Sequence, residues 1–308
     1  MSALTEHVEQ YLRARRALGV KLERHGQLLP QLVTFLETAG ASTITRELAV
    51  SWARLPTGVH PRHWAARLSI ARGFAAYLQT IDPATEIPPA GVFAVRYQRP
   101  IPYLWSQHDI SRLLDAARAL RPPLKAASHE ALFGLLAVTG MRLGEALALE
   151  PGDVDLKTGV ITIRAHTAKL ERARLVPLHP TTIQALERYV DTRARLCPEP
   201  RSNTFLLSSI GTSLDRSAVA KTLRELTTLL GLRTDTVHPT AHQLRHSFAV
   251  RTLIDWQRSG AQVDERIAVL STYLGHVRPS ETYWYLTATP ELMNSAAQRL
   301  ERHLGERP

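Results

Sequence analysis

Two arginines lie at positions where a protein could hold an anion. Arg142 follows a glycine turn at the start of a helical stretch, where the positive end of the helix dipole disfavours a cation. Its charge is therefore expected to be compensated by Glu145, one turn later, or by a ligand phosphate. His242 and Arg245 are three residues apart and share one face of another helix. A surface ion pair and a solvated basic face are the alternative interpretations.

Other side chains could donate protons or act as nucleophiles. Lys169 lies at a turn between two predicted strands, seven residues before Val176. Its ammonium could reach into the groove of a partner or donate a proton, although a solvated turn lysine is the simpler interpretation. His276 follows a glycine, and Tyr283 and Tyr285 follow in a short aromatic run. A tyrosine next to a tryptophan is usually a core residue. The two tyrosines are not expected to serve one site together in extended or helical geometry, so we expect at most one to be functional.

Composition favours a cytosolic globular protein that binds a polyanion. Of 308 residues, 44% are hydrophobic and 21% are charged, and 38 cations against 28 anions give a net charge of +10. Cys197 is the only cysteine, which excludes a disulfide framework within one chain. We expect no membrane span, because no run of about 18 uncharged apolar residues occurs. We also expect no cofactor and no metal, since neither a phosphate-binding loop motif nor a cluster of acids for two magnesium ions is found.

The spacing of apolar residues predicts that the first hundred residues are helical. A connector rich in proline, with prolines at 83, 88, 89, 100 and 102, then predicts a domain boundary near residue 100. Pro30 falls inside the second helix, where it is expected to kink or restart it. The predicted helices of this part are 4–18, 23–39, 46–54 and 61–80.

The remainder is predicted to be a second helical domain with a small three-stranded sheet between residues 152 and 180. The fold class is thus mainly α with a small antiparallel β-sheet. The last helix is amphipathic and could either dock on a neighbouring protomer or cap its own domain. The predicted helices are 106–120, 128–138, 180–194, 216–230, 240–256, 264–273 and 289–304.

Taken in order, these motifs resemble those of the tyrosine recombinase (phage integrase) family. The chain supplies T-G-M-R-L-G-E-A-L, K-L-E-R-A-R-L-V-P-L, H-Q-L-R-H-S-F-A, L-G-H, and Tyr285 nine residues after His276. The resemblance covers about residues 105–290, with a looser likeness of the N-terminal helices to the core-binding domain of that family. It implies a SAM-like core-binding domain over 1–95, a linker over 96–104 and a catalytic domain over 105–308. The tail after Tyr285 is similar to that of recombinases from transposons and plasmids.

The resemblance also implies an active site and a reaction. Tyr285 would attack a DNA phosphodiester, release a 5′-hydroxyl and form a 3′-phosphotyrosyl bond. Two guanidiniums would bind the phosphate, His242 would assist the nucleophile, and Glu145 would orient Lys169 or His242. The implied site residues are Arg142, Lys169, His242, Arg245, His276 and Tyr285, with Glu145 in support.

Two implied details concern proton transfer and phosphate binding. Lys169 would protonate the leaving oxygen, and His276 would donate a hydrogen bond to the phosphate. The hairpin lacks the glycine that often follows this lysine in the family, so Arg172 or Arg174 could contribute in its place.

The partners implied are double-stranded DNA and three further copies of the chain in a tetrameric synapse on two sites, with other recombinases as optional partners. Because phosphate contacts would dominate affinity, binding should weaken steeply with salt. The location implied is the cytoplasm, in association with the nucleoid. A catalytically silent DNA-binding regulator and a nicking and closing enzyme of the topoisomerase IB kind are the alternatives; only the latter should relax a supercoiled plasmid that lacks a target site. A basic helical protein with an accidental set of motifs is the remaining alternative.

Overall fold

A computed structural model of the chain describes residues 2–20, 22–93, 102–165, 173–261 and 263–276, together with Thr282, Tyr283 and Tyr285. The chain divides into two compact units, residues 1–99 and 100–308. Both units are mostly helical and the second contains a small antiparallel sheet. The predicted fold class is therefore confirmed, whereas a DNA-binding function of the first unit stays a prediction.

The described residues of the first unit form four helices. Their starts follow from the sequence: the side chain of Ser2 caps α1, that of Thr45 caps α3, and α4 begins with a proline, which is tolerated there. Pro30 does not divide α2, which continues on both sides of it. Trp52 and Phe74 are fully buried in the core of the unit. The helices are α1 (Ala3–Ala17), α2 (Glu23–Thr38), α3 (Arg46–Arg54) and α4 (Pro61–Leu78).

The second unit is built around one buried helix, α6, which packs against α5, α8 and α10. Leu132 and Phe133 of α6 are fully buried. The helices are α5 (Gln107–Arg118), α6 (Pro123–Thr139), α7 (Leu143–Leu147), α8 (Pro180–Leu196), α9 (Arg216–Leu229), α10 (Ala241–Arg258) and α11 (Val263–Leu274). A 3-10 turn, Pro151–Asp153, precedes the sheet.

The predicted helix at 128–138 is wrong at its start, because α6 begins five residues earlier, at Pro123. Proline is acceptable in the first turn, where its missing N–H has no helical partner to lose. The other predicted helices that fall on described residues agree with the structure within two residues at each end. The predicted helix at 289–304 and most of the predicted linker lie outside the described residues.

The sheet of the second unit has three antiparallel strands in the order β1 (Val154–Asp155), β2 (Val160–Ile163) and β3 (Arg174–Pro177). Ile161 of β2 lies opposite Val176 of β3, and both are buried. Because alternate residues of a strand share a face, Arg174 lies on the same inward face as Val176. The sheet thus places an arginine toward the interior of the unit.

Candidate active site

The turn between α6 and α7 sets the position of Arg142. Gly140 ends α6 with a φ of +61°, and a Cβ at this position would overlap the ring of Phe248. Arg142 is the N-cap residue of α7, and its backbone N–H donates to Glu145 Oε2 at 2.8 Å. Its guanidinium donates to Glu145 Oε1 at 3.0 Å and to the carbonyl oxygen of Gly275 at 2.8 Å. The compensating anion expected for Arg142 is therefore present as Glu145.

Glu145 is shared by two arginines. Its side chain is 2% exposed and accepts two hydrogen bonds from Arg174, Nη2 to Oε2 at 2.6 Å and Nη1 to Oε1 at 3.1 Å. Burial alone would raise the pKa of the Glu145 carboxyl, but the hydrogen bonds and charges of Arg174 and Arg142 outweigh it and lower that pKa. The carboxylate is therefore ionised at neutral pH, and it holds two guanidiniums side by side.

Three guanidiniums meet at the C-terminal end of α11. Each donates to one of three consecutive backbone carbonyls: Arg174 to Tyr273 at 2.9 Å, Arg245 to Leu274 at 2.7 Å and Arg142 to Gly275 at 2.8 Å. The last carbonyls of a helix lack helical partners and carry the negative end of its dipole, so cations are favourable there. The end of α11 thus fixes residues from α7, β3 and α10 at one place.

Arg245 is the most deeply buried of the three, with 1% of its surface exposed. It also donates from Nη1 to the carbonyl oxygen of Gly140 at 2.9 Å. Burial, and then the charge of Arg142, lower the pKa of Arg245 to about 10, so it remains protonated at neutral pH. Among the described side chains of this arginine cluster (Arg142, Arg174 and Arg245), only Glu145 supplies a countercharge. Two positive charges are in excess, as an anion-binding site requires.

Imidazole and phenol rings lie next to the arginine cluster. The ring centroids of His242 and His246, one turn apart on α10, are 4.5 Å apart. The His246 ring lies 5.2 Å from that of Tyr285, edge to face, and the His276 ring lies 6.0 Å from Tyr285, nearly parallel to it. The phenol is therefore in contact with two imidazoles.

His276 is held just beyond α11. Gly275 ends the helix with a φ of +66°, and the His276 backbone N–H donates to the Ser271 carbonyl at 2.9 Å. Its Nδ1 lies 2.7 Å from Thr282 Oγ1. Burial first, and then the charges of Arg245 and the other cations nearby, lower the pKa of His276 to about 3. The imidazole is neutral at physiological pH and can donate a hydrogen bond without carrying charge.

The structure distinguishes the two tyrosines of the aromatic run. Tyr285 is 3% exposed and contacts His246 and His276, whereas Tyr283 is 46% exposed. A tyrosine next to a tryptophan was expected in the core, and Tyr285 is buried there. The same residue contacts the imidazoles. Of the two, Tyr285 is the candidate nucleophile.

The structure brings together six of the seven residues singled out from the sequence: Arg142, Glu145, His242, Arg245, His276 and Tyr285. Lys169 lies outside the described residues, as does Arg172. Arg174 opens β3 directly after this gap and is bound to Glu145. Glu145, expected to orient Lys169 or His242, has the two guanidiniums as its described partners.

Two residues of this region, His246 beside Tyr285 and Thr282 bound to His276, were not predicted from the sequence to be functional. Arg174 was named only as a substitute for Lys169, and its contact with Glu145 was not predicted. Arg174 had a detectable signal, because strand alternation places it on the same face as the buried Val176. His246 also had one, since it lies four residues after His242 on a helix. Thr282 had none, because its contact depends on how the chain turns after Gly275.

Chemically, the arrangement can bind a phosphate group beside a phenol. The bonds to described residues use only part of the five donors of each guanidinium in the cluster, and guanidinium suits bidentate phosphate contact. Among the described residues, no three His, Cys, Asp or Glu side chains are grouped so that they could hold a metal ion. Nor does any helix in the described part of the chain have the length and apolar character needed to cross a membrane.

Comparison with known proteins gives a consistent family assignment. The sequence model of the phage integrase family matches residues 105–291. A putative integrase/recombinase of Sinorhizobium fredii, y4rB, is 41% identical over 100% of both chains. The tyrosine recombinase XerC of Vibrio vulnificus is 26% identical over 90% of this chain and 84% of its own.

Similarity to solved structures supports the same fold. The integrase of the transposon Tn1549, solved in complex with transposon right end DNA, has a TM-score of 0.68. It covers 98% of this chain and 99% of its own at 17% sequence identity. At this identity the likeness establishes the fold and not the function.

Proposed function

Because the chain belongs to the phage integrase family and is a tyrosine recombinase, we propose that it cuts and rejoins DNA through a covalent 3′-phosphotyrosyl intermediate formed by Tyr285. Site-specific recombination in general follows from the family. One observation carries the finer proposal: the Tyr285 ring contacts both His246 and His276, beside an arginine cluster with excess positive charge.

The proposed reaction is an in-line phosphoryl transfer. The Tyr285 oxygen attacks phosphorus, the bond from phosphorus to the 5′-oxygen breaks, and the phenol proton and a proton for the leaving oxygen must both be transferred. Phosphoryl transfer requires mainly positioning and stabilisation of charge on the equatorial oxygens. Arg142 and Arg245 supply that charge, and the described bonds occupy two of the five donors on each guanidinium.

Acid and base groups complete the proposed site. A phenol has an ordinary pKa of about 10, so its proton must leave as the bond to phosphorus forms. We assign assistance at the nucleophile to His242, a hydrogen bond to the phosphate to neutral His276, and protonation of the 5′-oxygen to Lys169. Arg174 is assigned to hold Glu145, and through it Arg142.

The proposed reaction conserves the energy of the phosphodiester in the phosphotyrosyl bond, so rejoining needs neither ATP nor a metal ion. The first unit is proposed to bind the duplex together with the second, and four chains to assemble on two sites.

The test is covalent trapping on nicked suicide duplexes made from DNA that flanks the gene. We expect an SDS-resistant protein–DNA adduct with the wild type and none with Tyr285→Phe. Tyr283→Phe is the matched control, because Tyr283 is two residues away and 46% exposed, and it should form the adduct normally. Loss of the adduct only in Tyr283→Phe would transfer the nucleophile to that residue. Specific DNA binding without an adduct would favour a silent regulator or a missing partner recombinase.

A further inference from the structure

A hydrogen bond joins two residues of the site that follow α11, His276 and Thr282. Thr282 Oγ1 lies 2.7 Å from His276 Nδ1, and Thr282 is fully buried. Buried hydroxyl groups in proteins are generally hydrogen-bonded, and here the imidazole is the partner. Thr282 has no role in the proposed reaction, so its hydrogen bond with His276 must have another purpose.

The protonation of a neutral imidazole explains this hydrogen bond. Such a ring carries a single N–H, and the bond made by one nitrogen decides which nitrogen holds the proton. Phosphate oxygens only accept hydrogen bonds, so His276 can donate to a phosphate from Nε2 only when Nδ1 is the acceptor. A threonine hydroxyl can donate to Nδ1, whereas a backbone carbonyl at the same place would require the opposite tautomer.

The same contact lies close to the candidate nucleophile. Thr282 and Tyr285 are three residues apart and both have helical backbone conformation, so they share one side of the turn. The rings of His276 and Tyr285 are nearly parallel, with an angle of 25° between their planes. The hydrogen bond between Thr282 and His276 therefore fixes the imidazole and the start of the turn carrying the phenol.

We propose that Thr282 is a positioning residue whose hydroxyl donates to His276 Nδ1, holds the tautomer that presents Nε2–H to the scissile phosphate, and anchors the turn that carries Tyr285. This inference rests on the proposed function, because it assumes that His276 faces the phosphate. It extends that function to a residue that touches neither DNA nor the reacting atoms.

The test compares Thr282→Val, which keeps the shape and removes the hydroxyl, with Thr282→Ser, which keeps the hydroxyl. Adduct formation on the suicide duplex is measured with the full chain at saturating DNA. We expect Thr282→Val to be about 10- to 100-fold slower, as when a group that orients an imidazole is removed. Thr282→Ser should stay close to the wild-type rate. Thr272→Val is the control, because Thr272 is an exposed residue of α11 whose hydroxyl donates to the Ala268 carbonyl oxygen within that helix.

Two further measurements separate positioning from packing. In a His276→Gln background, the effect of Thr282→Val should disappear, since the residue acts through the imidazole. In ¹⁵N-histidine NMR spectra of the protein without DNA, His276 should carry its proton on Nε2 in the wild type and populate both tautomers in Thr282→Val.

Three results would overturn the proposal: a wild-type His276 protonated on Nδ1, a Thr282→Val enzyme as fast as wild type, or a loss that persists in His276→Gln. The wild-type spectrum decides the matter even if Thr282→Val does not fold. Failure of the proposed function has a different signature, namely an adduct that survives Tyr285→Phe. The tautomer measurement does not depend on that result.

Discussion

An arginine is buried in each unit of the molecule, and the surroundings of the two differ. Arg67 of α4 is 5% exposed; its guanidinium lies 4.0 Å from the centre of the Trp52 ring and donates to the Trp52 carbonyl oxygen. Arg245 of α10 is 1% exposed and donates to two backbone carbonyls. Burial lowers the pKa of both. Burial alone therefore does not mark an arginine as functional.

The distinguishing feature is the number of charges nearby. Arg67 has one further cation near it, Arg24, whose charge adds to burial in lowering its pKa. The flat face of Arg67 is covered by an aromatic ring, an arrangement that stabilises a desolvated cation. Arg245 instead lies close to two further guanidiniums, with Glu145 as the only described countercharge of the cluster. Like charges gathered in this way lower stability, and sites with strongly perturbed ionisation are enriched in function. Arg67 is thus a core residue of its unit, whereas the surroundings of Arg245 support the proposal that it binds phosphate.

The largest expected effect is that of Arg245→Lys, and Arg67→Lys is the comparison. Arg245→Lys keeps a charge but loses the fork that spans two carbonyls, and we expect adduct formation to slow by about 100- to 1000-fold. Arg67→Lys should leave the rate at saturating DNA within about twofold, while its weaker contact with Trp52 lowers the free energy of unfolding by about 1 kcal/mol. Single-turnover trapping and urea unfolding measure the two quantities.

The two lysine variants control for each other, because each removes a buried guanidinium from a carbonyl oxygen. If Arg67→Lys slowed the covalent step as much as Arg245→Lys at saturating DNA, the distinction between core and site would be wrong. The same conclusion would follow if Arg245→Lys lost stability and kept its rate.

Arg174 tests whether the charge cluster is held together through Glu145. Arg174→Met leaves a carboxylate that is 2% exposed with Arg142 as its remaining described partner. We expect the free energy of unfolding to fall by about 3 kcal/mol, as when one partner of a buried ion pair is removed. Adduct formation should slow by about 10- to 100-fold, because Arg142 loses the anchor of its carboxylate.

The pH dependence and a double variant sharpen this test. The lowered pKa of Glu145 contributes stability that is present above its ordinary value of 4.5 and is lost as pH falls through the lowered value. The stability gap between wild type and Arg174→Met should therefore narrow as the solution is acidified below about 4.5. Adding Glu145→Leu to Arg174→Met should restore the free energy of unfolding and leave adduct formation slow. If both quantities recovered, Glu145 would not position Arg142.

Much of this site could be predicted from the sequence, because several of its residues lie in short motifs on single elements. The spacing of His242 and Arg245 on one helix, and the glycine turn before Arg142, are local features that hold in any tertiary context. The contact of Arg174 with Glu145 joins a strand to a helix 29 residues away, and the bond of Thr282 to His276 depends on a turn. Neither contact can be predicted from the spacing of residues along the sequence.

The fold shows the same division between local and tertiary signals. Helix ends marked by capping side chains, such as Ser106 before α5, were predicted within two residues. The start of α6 was missed, because two adjacent prolines also fit a loop, and only packing of the whole helix in the core decides between them. Pro30 lies inside α2 for the same reason: packing of Leu29, Leu32 and Leu36 in the core outweighs the lost hydrogen bond.

The smallest expected effect compares two glycines that each follow a helix. Gly260 after α10 has a φ of +74°, and a Cβ there would meet nothing within 4 Å. Gly275 after α11 has a φ of +66°, and its Cβ would lie 3.1 Å from Arg174 Nη1 and 3.3 Å from Arg142 Nη1. Alanine at either position must adopt the left-handed conformation, which lowers stability by about 1 kcal/mol.

Of the two variants, Gly275→Ala alone displaces the guanidiniums of Arg174 and Arg142, by a few tenths of an ångström. A displacement of about 1 Å in a catalytic arrangement can lower the rate about 100-fold, so we expect Gly275→Ala to slow adduct formation by about tenfold and Gly260→Ala to leave it unchanged. Urea unfolding should show similar losses for both variants, which separates backbone strain from the rate effect. Equal rates in the two variants would mean that the arginine cluster tolerates small displacements, as a solvated basic surface does and a preorganised phosphate site does not.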